Sequence, residues 1–268
     1  IEPFAALPVT LVNMLFPIYM DYGQLPDSRR EIYSHGCRVL ARETSISRQE
    51  DGHEGDYTSE ERTDAARLLA TLSIIGNRPR ISTGVIPEPG VLNTQECQTV
   101  DYRDQHPQDE RLLRETLKTA LFASTGEYHI WAHRSYGEFL AAEFLTNIRM
   151  PLVQVQSLFV NPFDSQQRTT PKLHETVAWL ASMRPDVFDW LFRTEPIVLL
   201  KSDSVHLTTG QRAALVNRFV SLYAEDGIME DRVAWNDFKR LSHPDIGEQL
   251  RLYLGDKLVP LRARHFCM

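Results

Sequence analysis

Apolar and polar positions alternate along the chain with two different periods, and the change of period marks the elements. Residues 3–22, apolar-rich, and 28–42, more polar, read as two helices separated by the turn YGQLPD. In that turn Gly23 suits the left-handed position after a helix end and Pro26 stops continuation, so the opening predicts an antiparallel helix pair. Residues 48–59 (RQEDGHEGDYTS) are polar, acidic and glycine-containing, which predicts a surface loop. Thr58 and Glu61 then have capping-box spacing and open a helix to Ile75, with Leu68, Leu69, Leu72 and Ile75 as its apolar stripe. The charge run from Glu60 to Asp64 reads as a solvated first turn. Residues 77–106 are dominated by proline, glycine and polar side chains, and a short strand near Ile81 is the one element predicted there. A helical repeat returns over residues 107–122 through Leu112, Leu113, Leu117, Ala120 and Leu121. Residues 123–131 place a Thr125-Gly126 turn between extended segments.

The period changes again inside HIWAHRSYGEFLAAEFL. Tyr128 and Ile130 alternate with His129 and Trp131 as in a strand, whereas Tyr136, Phe139, Leu140, Phe144 and Ile148 form a helical stripe. Ser135 followed by Glu138 is spaced as a capping box, which predicts the helix start at Ser135 and gives Glu138 a local structural role. His133 and Arg134 then stand just ahead of a helix N-terminus, where free N–H groups and the helix dipole favour an anion. The residues alone leave open a second arrangement, with His133 packed or bonded to a carbonyl and Arg134 in solvent. His129 and His133 lie about 13 Å apart along a strand, too far to share a metal ion.

Past Pro151 the pattern is helical throughout, with Pro171, Pro185, Thr208 and Pro244 at predicted helix starts. Leu173, Val177 and Leu180, then Leu215, Phe219 and Leu222, then Ile246, Leu250, Tyr253 and Leu254 continue as apolar stripes, with no fixed repeat length. The expected fold is mainly α. It comprises a helical domain over residues 1–76, a winged-helix-like domain with a short β-hairpin over 77–150, and a lobe of stacked helix pairs over 151–268.

Composition narrows the chemistry. The 268 residues are 42% hydrophobic and 24% charged, an ordinary globular balance, and the formal charge of −7 offers no general attraction to nucleic acid or anionic membranes. The expected wing, ASTGEYHIW, contains no Lys or Arg, which argues further against DNA binding. Cys37, Cys97 and Cys267 are widely spaced and lack a C-x-x-C pair, so they predict reduced thiols and a cytoplasmic location. The apolar run over residues 3–20 is interrupted by prolines and Asn13 and falls short of the roughly 20 residues that span a bilayer. His53-Glu54 and His174-Glu175 do not extend to H-E-x-x-H, and His35 beside Cys37 falls on a helix at a spacing where side chains diverge. Trp179, Trp190, Trp235, Phe188 and Phe192 read as core at helical spacing. A chain opening at Ile1 and closing at HFCM is expected to be part of a longer polypeptide.

The string WAHRSYGEFLAAEFL resembles the F-x-H-x-S-F-x-E-F-L-A-A segment in the winged-helix domain of NACHT-type STAND NTPases, the group of animal NOD-like receptors and many bacterial defence proteins. FAALPVTLVNML with GQLPDSRREIY resembles the first helical domain of that family, and KLHETVAWLASMRPDVFDWLF resembles the helical region after the winged helix in bacterial members. The likeness runs along the chain except for residues 77–106. It implies that His133 bonds the β-phosphate of ADP, that Pro8 packs on adenine, and that Arg134 belongs to the same site. It further implies an ADP or ATP cofactor shared with a nucleotide-binding core of the same parent polypeptide, and a homo-oligomer on activation. The 268 residues contain no G-x-x-x-x-G-K-[ST] and no apolar strand ending in paired acids, so this segment is expected to be regulatory and not itself an enzyme. The alternative is a stand-alone helical scaffold for protein-protein interaction with no nucleotide link.

Overall fold

A computed structural model describes residues 9–26, 28–42, 55–84, 86–98, 109–202, 205–225 and 235–268. The protein is mainly helical with one small four-stranded sheet, and it divides into two compact units, Ile1–Val160 and Asn161–Met268. Among the described residues no helix is long and apolar enough to cross a membrane.

The first unit opens with the helix pair α1 (Val9–Tyr22) and α2 (Arg29–Leu40). Gly23 takes the left-handed conformation at φ +70° after α1, and the Ser28 hydroxyl caps α2 by accepting the Glu31 N–H. The helices meet where α2 carries Gly36, because a Cβ there would stand 2.7 Å from Met14 Sδ. Helix α3 (Ser59–Ala70) starts with the expected capping box, in which Thr58 and Glu61 satisfy each other's free donors. The Thr58 amide holds the Glu61 carboxyl below the ordinary carboxylate range. Instead of running on as α-helix to Ile75, the chain widens into a π-helical turn over Thr71–Ile75.

The charge run at the start of α3 is not uniformly solvated. Arg62 is buried, with its guanidinium against Glu115 at 3.2 Å and the Ala41 carbonyl at 3.4 Å. Arg67 is buried too, bonding Glu143 at 2.9 Å and Asp64 at 2.5 Å. A buried guanidinium is tolerated only when acceptors meet its donors: Arg67 has Glu143 and Asp64, whereas Arg62 has Glu115 and the Ala41 carbonyl but leaves its buried Nε without an acceptor among the described residues.

The sheet has the order β2-β1-β4-β3. Strands β3 (Phe122–Thr125) and β4 (Tyr128–Trp131) form the expected hairpin around Gly126 at φ +66°. Beyond it, β1 (Arg80–Ser82) lies antiparallel to β4, and β2 (Val91–Asn93) lies parallel to β1. The expected helix over 107–122 is shorter: α4 (Thr94–Gln98) and α5 (Glu110–Thr116) precede β3, and the residues between α5 and β3 turn so that the Ala120 N–H reaches the Leu40 carbonyl at 3.1 Å. Helix α6 (Arg134–Asn147) packs on α3, and α7 (Leu152–Phe159) follows it.

Trp131 ties these pieces together. Its indole N–H donates to Ser73 Oγ at 3.0 Å within the π turn, its ring meets Phe122 at 4.3 Å between centroids, and a Cβ on Gly137 of α6 would fall 2.9 Å from it.

The helices and turns of the second unit are joined by loops, and its described residues hold no strand beyond an isolated bridge at Thr169. After a loop and a 3-10 turn at Pro171–Leu173 come α8 (His174–Met183), α9 (Pro185–Thr194) and α10 (Pro196–Lys201). Single residues, Arg184 and Glu195, separate these helices, and Pro185 and Pro196 sit at first helical positions where no amide bond is lost. Helix α11 (Thr209–Glu225), the short α12 (Trp235–Phe238), α13 (Ile246–Gly255) and α14 (Leu261–Phe266) complete the unit. Trp179, Trp190 and Phe188 are buried, as core spacing requires, and Phe219 lies fully inside. The Arg240 guanidinium donates to the Leu200 carbonyl at the end of α10 at 2.5 Å and to the Val205 carbonyl in the loop beyond it at 2.9 Å, and Arg218 donates to the Arg193 carbonyl at the end of α9 at 2.9 Å. The predicted stripe on α13 is only partly covered: Ile246, Leu250 and Tyr253 are half-buried and Leu254 is exposed, while Leu252, outside the stripe, is 75% exposed.

Gly137→Ala is expected to destabilise the first unit by about 1–3 kcal/mol through overpacking against the Trp131 ring, measurable as a lower urea midpoint. A second expectation concerns His129, whose imidazole burial holds below its ordinary value of 6.5. The unfolded chain therefore takes up the proton first, so this contribution is fully present above about pH 6.5 and is lost as pH falls toward the folded value. Unfolding followed from about pH 7 down to pH 5 should show that loss in the wild type and a flatter profile in His129→Gln.

Candidate functional site

The segment between β4 and α6 gathers the residues singled out in the sequence. Trp131 ends β4 buried, the chain turns at Ala132, and His133 adopts extended backbone at φ −141° as the cap of α6. The predicted cap was Ser135, with Glu138 closing the box. The structure places the cap two residues earlier: His133 Nδ1 accepts the Ser135 N–H at 3.3 Å, and Glu138 instead takes the Arg134 guanidinium at 2.7 Å. The shift has a local cause. Trp131 is held over Gly137, so the helix begins soon after the strand, and the imidazole nitrogen caps the Ser135 amide in place of a serine oxygen capping the amides of Gly137 or Glu138 one turn on.

This cap determines where the imidazole proton sits. A backbone amide can only donate, so Nδ1 of His133 must offer its lone pair and the neutral ring carries its proton on Nε2. Ser135 Oγ lies 2.6 Å from the same Nδ1 and accepts the Tyr33 hydroxyl at 3.0 Å. A chain of polar groups thus runs from Tyr33 on α2 through Ser135 to His133 and holds the ring with an Nε2–H donor. His133 is part-buried.

Beneath the polar chain lies a dry aromatic layer. Tyr136 faces His133 at 5.7 Å between ring centroids, Tyr33 meets Tyr136 edge-on at 6.5 Å and Phe139 at 5.5 Å, and the Arg29 guanidinium stands 5.7 Å over the Tyr33 ring. Burial pushes the Tyr136 hydroxyl up to about 12 and the Cys37 thiol well above its ordinary value, which fits Cys37 as a packed side chain and not as a nucleophile. Arg134 is half-exposed and adjacent to His133, with its Nε committed to Glu138. Pro8, the position matched to adenine packing, lies outside the described residues.

Tyr33, Ser135 as a relay and Arg29 were not singled out in the sequence. Tyr33 and Ser135 are 102 residues apart, and helical periodicity reports only which face of α2 is apolar, not what a phenol at its edge will touch. No protein-family model, curated relative or solved structure matches the chain.

Because the cap and the donor use different nitrogens, they can be separated. His133→Ala is expected to cost about 0.5–2 kcal/mol through the lost cap, whereas His133→Asn, a good capping residue, should keep stability near wild type while removing the Nε2–H. Chemical unfolding of the two variants side by side checks this, and equal losses would show that the cap contributes nothing.

Proposed function

We propose that the chain is the nucleotide-sensing, autoinhibitory segment of a cytoplasmic NACHT-type signalling ATPase of a bacterial defence or signalling system. In the closed state His133 donates its Nε2–H to the β-phosphate of ADP held by a P-loop core of the same parent polypeptide. The observation that carries the proposal is the cap itself: Nδ1 is committed to the Ser135 amide, which leaves the ring as a donor of fixed direction ahead of a helix start. The motif WAHRSYGEFLAAEFL supports the same assignment. When bound, the diphosphate would supply the anionic oxygens that such a donor lacks. Arg134 adds positive charge beside it, and Pro8 would pack on the base.

A hydrogen bond to a charged group is worth about 1.5–3 kcal/mol, which biases a two-state equilibrium by roughly one to two decades. That is the size needed to hold the closed form with ADP and to release it when ATP takes its place. Exposed Phe16, Tyr19 and Met20 on α1, spaced i, i+3, i+4, fit a helix that packs against a further part of the assembly, either the nucleotide-binding core or another copy in an activated oligomer. A helical interaction scaffold without nucleotide is the second possibility, and exposed Leu252 on α13 with Leu258 and Leu261 beyond it favours it.

Sequencing the reading frame upstream of Ile1 separates the two. A frame encoding a P-loop is expected, and a frame without one leaves the scaffold. In the polypeptide that includes the P-loop, His133→Asn should speed ADP release by about 10- to 100-fold at unchanged thermal stability. Release at the wild-type rate would remove the phosphate role from His133.

A further inference from the structure

We propose that the second unit carries a small-molecule site of its own, a cleft that takes a small anion bearing a phosphate or carboxylate group on an apolar body. The cleft encloses 520 Å³ and is walled by the loop after α7, the start of α8 and the length of α10. The loop is cross-braced by its own hydrogen bonds. The Asn161 N–H bonds the Arg168 carbonyl at 2.9 Å, Asn161 Oδ1 accepts the Phe163 N–H at 3.1 Å, and Asp164 Oδ1 accepts the Gln166 N–H at 3.0 Å.

The chemistry follows from a donor and acceptor inventory of the lining. Both carboxylates are already engaged. Asp164 holds the Nε of Arg168 at 2.5 Å, and Glu195 accepts the Thr169 amide at 2.9 Å and its hydroxyl at 2.6 Å with one oxygen, while its other oxygen faces His174 at 3.8 Å. The donors are not used up. The two terminal nitrogens of Arg168, the Lys201 ammonium and the Asn161 amide nitrogen all lie on residues that line the cleft, and none has an acceptor among the described residues. A cleft whose carboxylates are each already tied to protein donors and whose spare donors include two cationic side chains selects an anion, and a planar guanidinium and an ammonium lining one cleft suit the paired oxygens of a phosphate or carboxylate. Ile197 and Val198 supply apolar wall, and the volume exceeds that of a bare inorganic ion, which is why the ligand carries a body.

The test is a titration of the whole chain at constant ionic strength, with phenyl phosphate in one arm and phenylacetate in the other, followed by amide ¹H–¹⁵N NMR. Saturable shifts at Thr169 and Glu195 are expected in at least one arm, and the tighter arm names the anionic group. Lys201→Met should weaken that binding by about tenfold, the loss of one charge-assisted hydrogen bond. Arg168→Met also frees Asp164 and can loosen the loop, so Lys201, at the exposed end of α10, is the decisive variant. No saturation in either arm, or Lys201→Met binding as wild type, overturns the proposal. Saturation confined to the Ser135 amide would support the phosphate role of His133 and end the proposal made for this cleft.

Discussion

The position of Trp131 constrains everything else in the first unit. Its indole is bonded to Ser73, stacked near Phe122 and pressed onto the bare backbone of Gly137, so one side chain holds a strand, a helix and the π turn in a single arrangement. None of these contacts is large alone. Together they leave the two residues after Trp131 no freedom in how they pass from β4 into α6, and His133 is the second of them. Its role as a cap, and so the nitrogen that keeps its proton, is a consequence of how a tryptophan packs.

The two units solve the problem of polar groups inside a helical core in different ways. The first buries guanidiniums: Arg62 and Arg67 reach across elements to Glu115 and Glu143, where removal of either partner would strand a charge away from water. The second aims arginines at peptide carbonyls, with Arg240 and Arg218 donating to Leu200 and Arg193 at helix ends and Arg240 also to Val205 in a loop. In the first unit the acceptors are ionised, whereas in the second they are peptide groups.

Much of the helical architecture was legible because amphipathic stripes and caps are local signals. Thr58 with Glu61, Gly23, Pro185 and the Thr125-Gly126 turn each act over three or four residues, and each is found where the pattern placed it. Strand β2 was not legible: Val-Leu-Asn is three residues long and fully buried, too short to display a period. The capping box at Ser135 misled for a different reason. Ser-x-x-Glu spacing was satisfied in sequence, but the contact of Trp131 with Gly137 pulled the helix start back and handed the cap to a histidine. In the same way, the polarity of Arg62 spoke for solvent, and only the tertiary partners Glu115 and Ala41 explain its burial. The spare donors of the second-unit cleft were equally silent, since Arg168 and Lys201 come together only through folding.

The widened turn at Thr71–Ile75 carries one further implication. A π ring holds one residue more than the α ring it replaces, and that surplus residue sets the angular phase of everything downstream. Excising a single residue ahead of Ser73 would restore regular winding yet swing the serine by about 100° around the axis, away from the indole it receives. Length in this short stretch is therefore as constrained as residue identity, and homologous chains sharing the tryptophan contact should resist indels there while tolerating exchanges of side chain.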